Sequence, residues 1–247
     1  MAVNVDTVYK TVLLILNKEQ RGYMTPQEFN SISSQVQLQM LNEYFDDLNQ
    51  MLRVPGNESE YSDHVKDIDQ KLSIFQESLN TFTYSSGVLS PVLVPPNEIY
   101  KLGTVTYTNI NNIEVEVQQV QPNELKQLQR SDLTYPSLTY PLYIYRKSNI
   151  YVYPSTIEDG ISITYLRKPL DPIWGFYTGT RGQYIYDARA YVYGSPSIGS
   201  RNFELDAGEQ TNIILRILMY AGIIIKDPSI VQIAATQVQA EQINSKA

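Results

Sequence analysis

Both ends of the chain carry apolar residues at the spacing of an amphipathic helix. The clearest segments cover residues 5–17 and 26–52, and a weaker one covers residues 65–75. Two more begin near Asp206 and Asp227. Because residues three or four positions apart share one side of a helix, these segments predict helices that each bury one side.

Capping residues mark where several of these helices should begin. Thr25 and Glu28 have the spacing of a capping box around a proline, and Asp206 and Glu209 repeat that spacing. Asp227 directly precedes another proline. We therefore expect Asp206 and Asp227 to be helix N-caps, each lying outside the middle of any helix or strand.

The pattern changes to strand-like runs in the middle of the chain. These runs are residues 100–107, 113–120, 140–155 and 161–166, with a short helix expected over residues 123–130. The fold class predicted is α+β, with N- and C-terminal helices forming a bundle and a central antiparallel β region inserted between them. The expected domains are a discontinuous helical bundle (1–80 and 202–247) and an antiparallel β domain (81–201).

Residues 140–155 predict a hairpin that has two apolar faces. With a turn over residues 146–149, Leu142 and Ile144 would share one face with Ile150 and Val152. The other face would then hold four tyrosines, and a similar tyrosine pattern at 184–186 and 191–193 predicts a second hairpin. The candidate subunit-interface residues are Tyr143, Tyr145, Tyr151, Tyr153, Tyr184, Tyr186, Tyr191 and Tyr193. We expect other subunits to cover these faces; the alternative is a β sandwich that buries them within one chain.

Composition argues against most kinds of chemistry. The 247 residues include no cysteine and one histidine, so disulfides, thiol catalysis and the common zinc sites are excluded. The net charge of −7, and a locally acidic stretch over residues 43–77, disfavour binding to phosphates. The alternation along residues 113–117 predicts that Glu114 and Glu116 face solvent. Trp174 is interpreted as a packing residue, with a stacking surface for a sugar or base as the alternative. We expect no enzymatic activity, no catalytic residue, no cofactor and no metal.

The N-terminal apolar run is too short to span a membrane, and no basic residues precede it. We therefore expect a soluble chain that is made in the cytoplasm and has no membrane partner. The 247 residues are enough for one large domain or two small ones, each with its own core.

Three stretches together resemble virion proteins of the bacteriophage head-to-tail junction, notably those of short-tailed, crAss-like phages. They are NKEQRGYMTPQEFN (17–30), ITYLRKPLDPIWGF (163–176) and NFELDAGEQTNIILRILMYAGIIIKDPSIVQIAA (202–235). The stretches follow the order of the family and are spread over most of the chain. The connection over residues 177–200 is longer than the family pattern.

The resemblance implies a head-to-tail adaptor, a structural protein that forms a ring of about twelve copies below the portal. The implied partners are other copies of the chain, the portal protein, and a downstream tail adaptor or nozzle protein. DNA would pass through the lumen without specific binding. The implied location is the virion, with assembly in the host cytoplasm, and the portal-facing candidates are Ile230, Val231, Ala234 and Val238. The alternative function is a carbohydrate- or receptor-binding tail protein with a tyrosine-rich stacking surface.

Overall fold

The protein has an α+β fold, described here from a computed structural model. The structure describes residues 2–18, 23–53, 59–85, 87–93, 97–109, 112–192, 199–225 and 232–240. The chain divides into two compact units. The first unit comprises Met1–Ile74 and Pro169–Ala247, and the second comprises Phe75–Lys168.

The helices and strands are numbered in chain order. The helices are α1 (Val5–Lys18), α2 (Pro26–Arg53), α3 (Ser59–Ser73), α4 (Pro122–Leu128) and α5 (Gln210–Ile225). The strands are β1 (Ala2–Val3), β2 (Gln76–Leu79), β3 (Phe82–Ser85), β4 (Val88–Pro91), β5 (Ile99–Thr108), β6 (Glu114–Glu116), β7 (Gln118–Gln119), β8 (Leu142–Arg146), β9 (Asn149–Tyr153), β10 (Ile161–Arg167), β11 (Phe176–Thr178), β12 (Tyr184–Tyr186) and β13 (Phe203–Asp206). Residues 232–240 are also helical.

The first unit is built on α5, which contacts both α1 and α2. Ile213 and Ile217 of α5 are fully buried, one turn apart, as the helical spacing of the sequence predicts. Strand β1 pairs with β13 beside these helices. The side chain of Asn4 caps α1, because its Oδ1 accepts hydrogen bonds from the backbone N–H groups of Asp6 and Thr7 (2.9 and 3.1 Å).

Two of the predicted helix starts lie within the described residues. At α2, the Glu28 carboxylate accepts from the Thr25 backbone N–H (2.8 Å) and the Thr25 hydroxyl accepts from the Glu28 N–H (3.3 Å), so this capping box is confirmed. Asp206 is the N-cap of a 3-10 turn over Ala207–Glu209 that leads into α5. The N–H groups of Gly208 and Ala207 hold the pKa of Asp206 below its usual range. Asp227 lies outside the described residues.

The sequence predicts that the β domain ends at residue 201, but the structure places this boundary after Lys168. Residues 169–201 belong to the first unit, with the helices. The reason is that the segment after β10 is bonded to α2: the Gln37 amide donates to the carbonyl of Leu170 (2.8 Å), and Asn30 exchanges hydrogen bonds with the backbone of Trp174. The strand-like pattern of this segment does not indicate its hydrogen bonds to Asn30 and Gln37, because both residues lie far away along the chain.

The second unit contains two sheets that share one core. Their strand orders are β2-β10-β5-β6 and β3-β4-β9-β8-β7, and the strand pairs are antiparallel except β7 with β8. Along β10 every second residue is buried, beginning with Ile161 and Ile163. These side chains lie in one cluster with Ile150 and Val152 of the other sheet. The arrangement is that of a β sandwich within one chain.

The face assignment predicted for the β8–β9 hairpin is wrong. The connection is a two-residue turn, Lys147-Ser148, so Tyr143 pairs with Val152 and Tyr145 with Ile150. Those four residues share the face that enters the sandwich core. Leu142, Ile144, Tyr151 and Tyr153 share the opposite face, where they meet Val120 and Leu125 beside α4. Because side chains alternate along a strand, a one-residue difference in register divides the tyrosines between the two faces.

Two other strand predictions are corrected. Residues 113–120 form two short strands in different sheets, since β6 pairs with β5 and β7 pairs with β8. Strand β12 pairs with β11 and not with the described residues 191 and 192. The side chain of Arg189 folds back onto Asp187 (2.6 Å), and the N–H of Tyr191 donates to the carbonyl of Ser200 (3.0 Å). The hairpin expected around residues 187–190 is therefore absent from the described segment 184–192.

Replacing Ser148 with Gly should stabilise the β8–β9 turn. Lys147 and Ser148 both have positive φ (48° and 62°), a conformation that costs about 1–2 kcal/mol for residues with a Cβ. Glycine removes that cost, but it loses more conformational entropy on folding, which lowers the free energy of unfolding by roughly 0.5–1 kcal/mol. We expect S148G to raise the free energy of unfolding in urea by about 0.5–1 kcal/mol. The control is S148A, which keeps the Cβ and should give no gain; an equal gain from both variants would contradict the turn geometry.

The second unit should lose stability in alkaline solution in part through Tyr165. Burial, together with a hydrogen bond from its hydroxyl to Glu77 (2.9 Å), raises the pKa of Tyr165 to about 12. An unfolded tyrosine has a pKa of about 10, so both states hold the phenol neutral below pH 10. Above that pH only the unfolded state ionises, which favours unfolding until the folded pKa is passed. Melting temperatures measured against pH should therefore fall less steeply above pH 10 in Y165F than in the wild type; equal slopes would contradict the contribution of Tyr165.

Candidate assembly surfaces

In the described residues, no group of three or more His, Cys, Asp or Glu side chains could hold a metal ion. Glu114 and Glu116 lie exposed on β6, as the sequence predicts. The side chain of His64 falls outside the described set.

No helix in the described part of the chain is both long enough and apolar enough to cross a bilayer.

Trp174 is a packing residue of the first unit. Its side chain is only 4% exposed, and its ring lies 4.4 Å from that of Tyr9 and 6.0 Å from that of Phe176, measured between centroids. The indole N–H donates to the Asp6 carboxylate (3.1 Å), while the Trp174 backbone N–H donates to the side chain of Asn30 (2.8 Å). Because the side chain is almost fully covered from within the chain, Trp174 offers no surface on which a sugar or base could stack.

Buried polar side chains hold the segment after β10 against α2 and β13. Gln37 is 1% exposed; its amide N–H donates to the carbonyl of Leu170, and its amide oxygen accepts from the N–H of Glu204 (3.0 Å). The Glu204 carboxylate in turn accepts from the N–H of Leu170 (2.8 Å). These hydrogen bonds hold α2, the segment after β10 and β13 together. They also satisfy the buried amide group of Gln37.

A nearly buried ion pair links α2 with α5. Both terminal nitrogens of Arg216 bond the Glu43 carboxylate (2.7 and 2.6 Å), and the Arg216 Nε–H donates to Asn212 (2.9 Å). The Arg216 side chain is 3% exposed, while that of Glu43 is 31% exposed. A bidentate pair of this kind fixes the relative position of two helices because it constrains both distance and direction. No local spacing of residues indicates this ion pair, since the two partners are 173 positions apart.

A second ionic contact joins α3 to the start of α5. The Lys71 ammonium group lies 3.0 Å from the Asp67 carboxylate and 3.2 Å from that of Glu209. The Glu209 carboxylate, which the sequence placed in a capping box with Asp206, therefore also holds α3. Part of the acidic stretch over residues 43–77 is thus neutralised by Lys71 and Arg216.

The tyrosines proposed as interface residues differ widely in exposure within a single chain. Tyr143 is 4% exposed, so it has almost no surface left for a neighbouring subunit. Tyr145, Tyr151, Tyr153, Tyr186 and Tyr191 are half-buried. Tyr184 is 41% exposed, although its ring packs edge-on against Phe176 (5.0 Å). Tyr193 lies outside the described residues. The expectation that subunits must cover a continuous tyrosine face is therefore corrected, because the chain covers most of it.

The portal-facing candidates are only partly described. Ala234 is 3% exposed and Val238 is half-buried in the helical residues 232–240. Ile230 and Val231 lie outside the described residues. Ala234 is accordingly a residue of the interior of the single chain rather than of a free surface.

The sequence-based prediction missed an exposed apolar loop in the second unit. Residues 131–141 connect the end of α4 to β8, and four large side chains of this loop face solvent: Leu133, Tyr135, Leu138 and Tyr140. In the sequence, this loop could have been recognised by four large apolar residues among turn-forming Ser, Asp and Pro. Their spacing has neither the period of a helix nor that of a strand. That pattern indicates a loop rather than a helix or strand, with apolar residues that the core does not use.

Comparison with known proteins leaves the function to be inferred from these features. No protein-family model and no curated protein sequence matches the chain. The features that bear on function are the packing that joins distant segments of the first unit and the exposed apolar loop of the second. An exposed apolar patch is a feature that often marks a contact with another molecule.

Proposed function

We propose that the chain is a structural virion protein, a head-to-tail adaptor that forms a ring below the portal. In this function it continues the DNA channel and attaches the tail. Its partners would be other copies of itself, the portal protein and a downstream tail adaptor or nozzle protein. The proposal rests on the resemblance of three sequence stretches to phage head-to-tail junction proteins, together with the spatial relation of those stretches.

One observation carries the proposal: residues from each of the three stretches meet in the first unit. Asn30, in the stretch 17–30, exchanges two hydrogen bonds with the backbone of Trp174, in the stretch 163–176 (2.8 and 3.3 Å). Leu170, in that same second stretch, donates its N–H to Glu204, in the stretch 202–235. Residues that carry the resemblance therefore contact one another. Such contacts support the proposal, because stretches shared by a family are expected to come together when they form part of a common fold.

The charge and the absence of site chemistry agree with this function. The chain has 26 acidic residues against 19 basic ones, so it offers little to neutralise phosphates. DNA could then slide through a lumen without being held. The sequence provides one histidine and no cysteine, which fits a structural role better than a catalytic one.

The oligomeric state of the purified full chain tests the proposal. Native mass spectrometry should give a closed assembly of about twelve copies, and electron-microscopic class averages should show a ring with an open centre. In virus particles, gold-labelled antibody against the chain should mark the vertex where head and tail join. A trimer, with label at the outer end of the tail, would instead support the receptor-binding alternative. A chain absent from the particle would refute both.

A further inference from the structure

The turn that precedes β10 contains the one Asp-Gly dipeptide of the sequence, Asp159-Gly160. The Asp159 side chain is exposed, and its Oδ1 atom accepts a hydrogen bond from the backbone N–H of Gly160 at 2.7 Å. The carboxyl group of Asp159 therefore lies beside the nitrogen of the next residue. A bond between that nitrogen and the carboxyl carbon would close a five-membered succinimide ring, and proximity of this kind raises the rate of an intramolecular reaction.

The fold requires glycine at the second position of this dipeptide. Gly160 has a φ of 78°, in the left-handed region that favours glycine. A Cβ atom at this position would lie 2.7 Å from the carbonyl oxygen of Thr108. The same missing side chain leaves the Gly160 nitrogen unshielded, so its approach to the carboxyl carbon of Asp159 is unhindered. The backbone geometry thereby imposes the neighbour that makes Asp159 reactive.

Both sides of the dipeptide are held in place by the sandwich. On one side, the carbonyl of Gly160 accepts a hydrogen bond from the N–H of Thr108 in β5 (2.8 Å). On the other side, Ile157 is 3% exposed in the core, and its N–H donates to the carbonyl of Pro154 (3.2 Å). Because the chain is anchored on both sides, the contact between the Asp159 carboxylate and the next nitrogen belongs to the folded state.

We propose that Asp159-Gly160 is a site of spontaneous isoaspartate formation in the folded protein. In the carboxylic acid form of Asp159, the Gly160 nitrogen bonds to Cγ and the bond from Cγ to the hydroxyl oxygen breaks. The amide proton and that hydroxyl leave together as one molecule of water, and a succinimide remains. This inference is independent of the proposed adaptor function.

Water then opens the succinimide at one of its two carbonyl carbons. Cleavage between the nitrogen and Cγ restores aspartate, whereas cleavage between the nitrogen and the main-chain carbonyl carbon of Asp159 gives isoaspartate. One water is released and one is taken up, so the overall change is an isomerisation without oxidation or reduction. The exposure of Asp159 gives the water that this step consumes access to the ring.

Isoaspartate at position 159 would disturb the start of β10. Its main chain passes through Cβ and Cγ, so one extra carbon atom enters the backbone while the negative charge is kept. The next carbonyl, that of Gly160, accepts from Thr108, and the pairing of β10 with β5 begins directly after it. Extra backbone inserted into one strand disrupts the ladder locally, as in a β-bulge. We therefore expect weaker pairing at this end of β5 in the isomerised protein.

Peptide mapping of the full, folded chain after prolonged incubation in neutral buffer tests the proposal. Trypsin yields the peptides 148–167 and 131–146, which each contain a single aspartate, Asp159 and Asp132 respectively. Asp132 is also exposed, but Leu133 follows it. Fragmentation by electron transfer distinguishes isoaspartate from aspartate, and an unincubated sample gives the background. The isoaspartate fraction should be higher at Asp159 than at Asp132 by roughly fivefold or more.

The matched control variant is D159E. Glutamate keeps the carboxylate but could close only a six-membered ring, which forms far more slowly, so peptide 148–167 of D159E should stay unmodified. Hydrogen exchange measures the effect on the sheet: the segment of β5 that contains Thr108 should exchange faster in incubated wild type than in incubated D159E. Equal exchange in the two incubated proteins, despite isoaspartate in the wild type, would overturn the predicted weakening of β5.

Two results would overturn the modification site itself. A folded wild-type chain that keeps only aspartate at position 159 would do so, including when the chain unfolded in urea isomerises there, because the fold would then protect the dipeptide. Equal isoaspartate fractions at Asp159 and Asp132 would also do so, because neither the glycine nor the 2.7 Å contact would then matter.

Discussion

Replacing Glu43 with Gln is expected to lower the free energy of unfolding by about 3 kcal/mol, because the change leaves the Arg216 charge buried and uncompensated. The Arg216 side chain is 3% exposed, and the Glu43 carboxylate accepts two of its hydrogen bonds. Glutamine keeps the shape of the side chain and one acceptor oxygen, so the expected loss comes from the missing charge. Denaturation in urea, monitored by far-UV circular dichroism, gives the free energy of unfolding of both proteins.

Two further variants separate the buried charge from other effects of the substitution. E43Q/R216M removes both charges and should recover most of the lost stability, since an apolar pair of similar volume is tolerated where a lone charge is not. K10M breaks the pair between Lys10 and Asp6 (2.6 Å), in which Lys10 is 71% exposed, and should change the stability by less than about 1 kcal/mol. If E43Q and K10M had equal effects, the pair between α2 and α5 would be as weak as a surface ion pair.

Replacing Trp174 with Ala is expected to cost about 3–5 kcal/mol of unfolding free energy, the range for removing a large buried aromatic side chain. Trp174 is 4% exposed and its ring contacts those of Tyr9, Phe176 and Tyr186. The substitution would leave a cavity beside α1 and also remove the hydrogen bond from the indole N–H to Asp6. Urea denaturation measures the loss, provided that the variant is purified as a folded protein.

Milder changes keep the Trp174 prediction testable if the alanine variant fails to fold. W174F retains an aromatic ring and loses the indole N–H, so it should cost less than W174A. Y177A alters an exposed aromatic in the same region and should change the stability by about 0.5 kcal/mol or less. A stable W174A that had lost binding to a glycan array would contradict the packing role and support the stacking surface of a receptor-binding protein.

The sequence by itself determined the local features of the chain. Apolar residues at helical spacing predicted α1, α2 and α5, and the Thr-x-x-Glu spacing at residues 25–28 predicted the start of α2. The cap at Asp206 was also predicted. These features depend on residues within four positions of one another, so the pattern that specifies them can be read directly along the chain. The α+β class followed from the order of such segments.

Only the tertiary structure decided which surfaces meet. A two-residue turn with positive φ at Lys147 and Ser148 set the register of β8 and β9, and with it the face on which each tyrosine lies. Residues 169–201 joined the helices because buried Gln37 and half-buried Asn30 form hydrogen bonds to that segment. Glu43 met Arg216 across 173 positions. Register, burial and long-range pairing depend on the sum of contacts between distant segments, and no local spacing in the sequence records that sum.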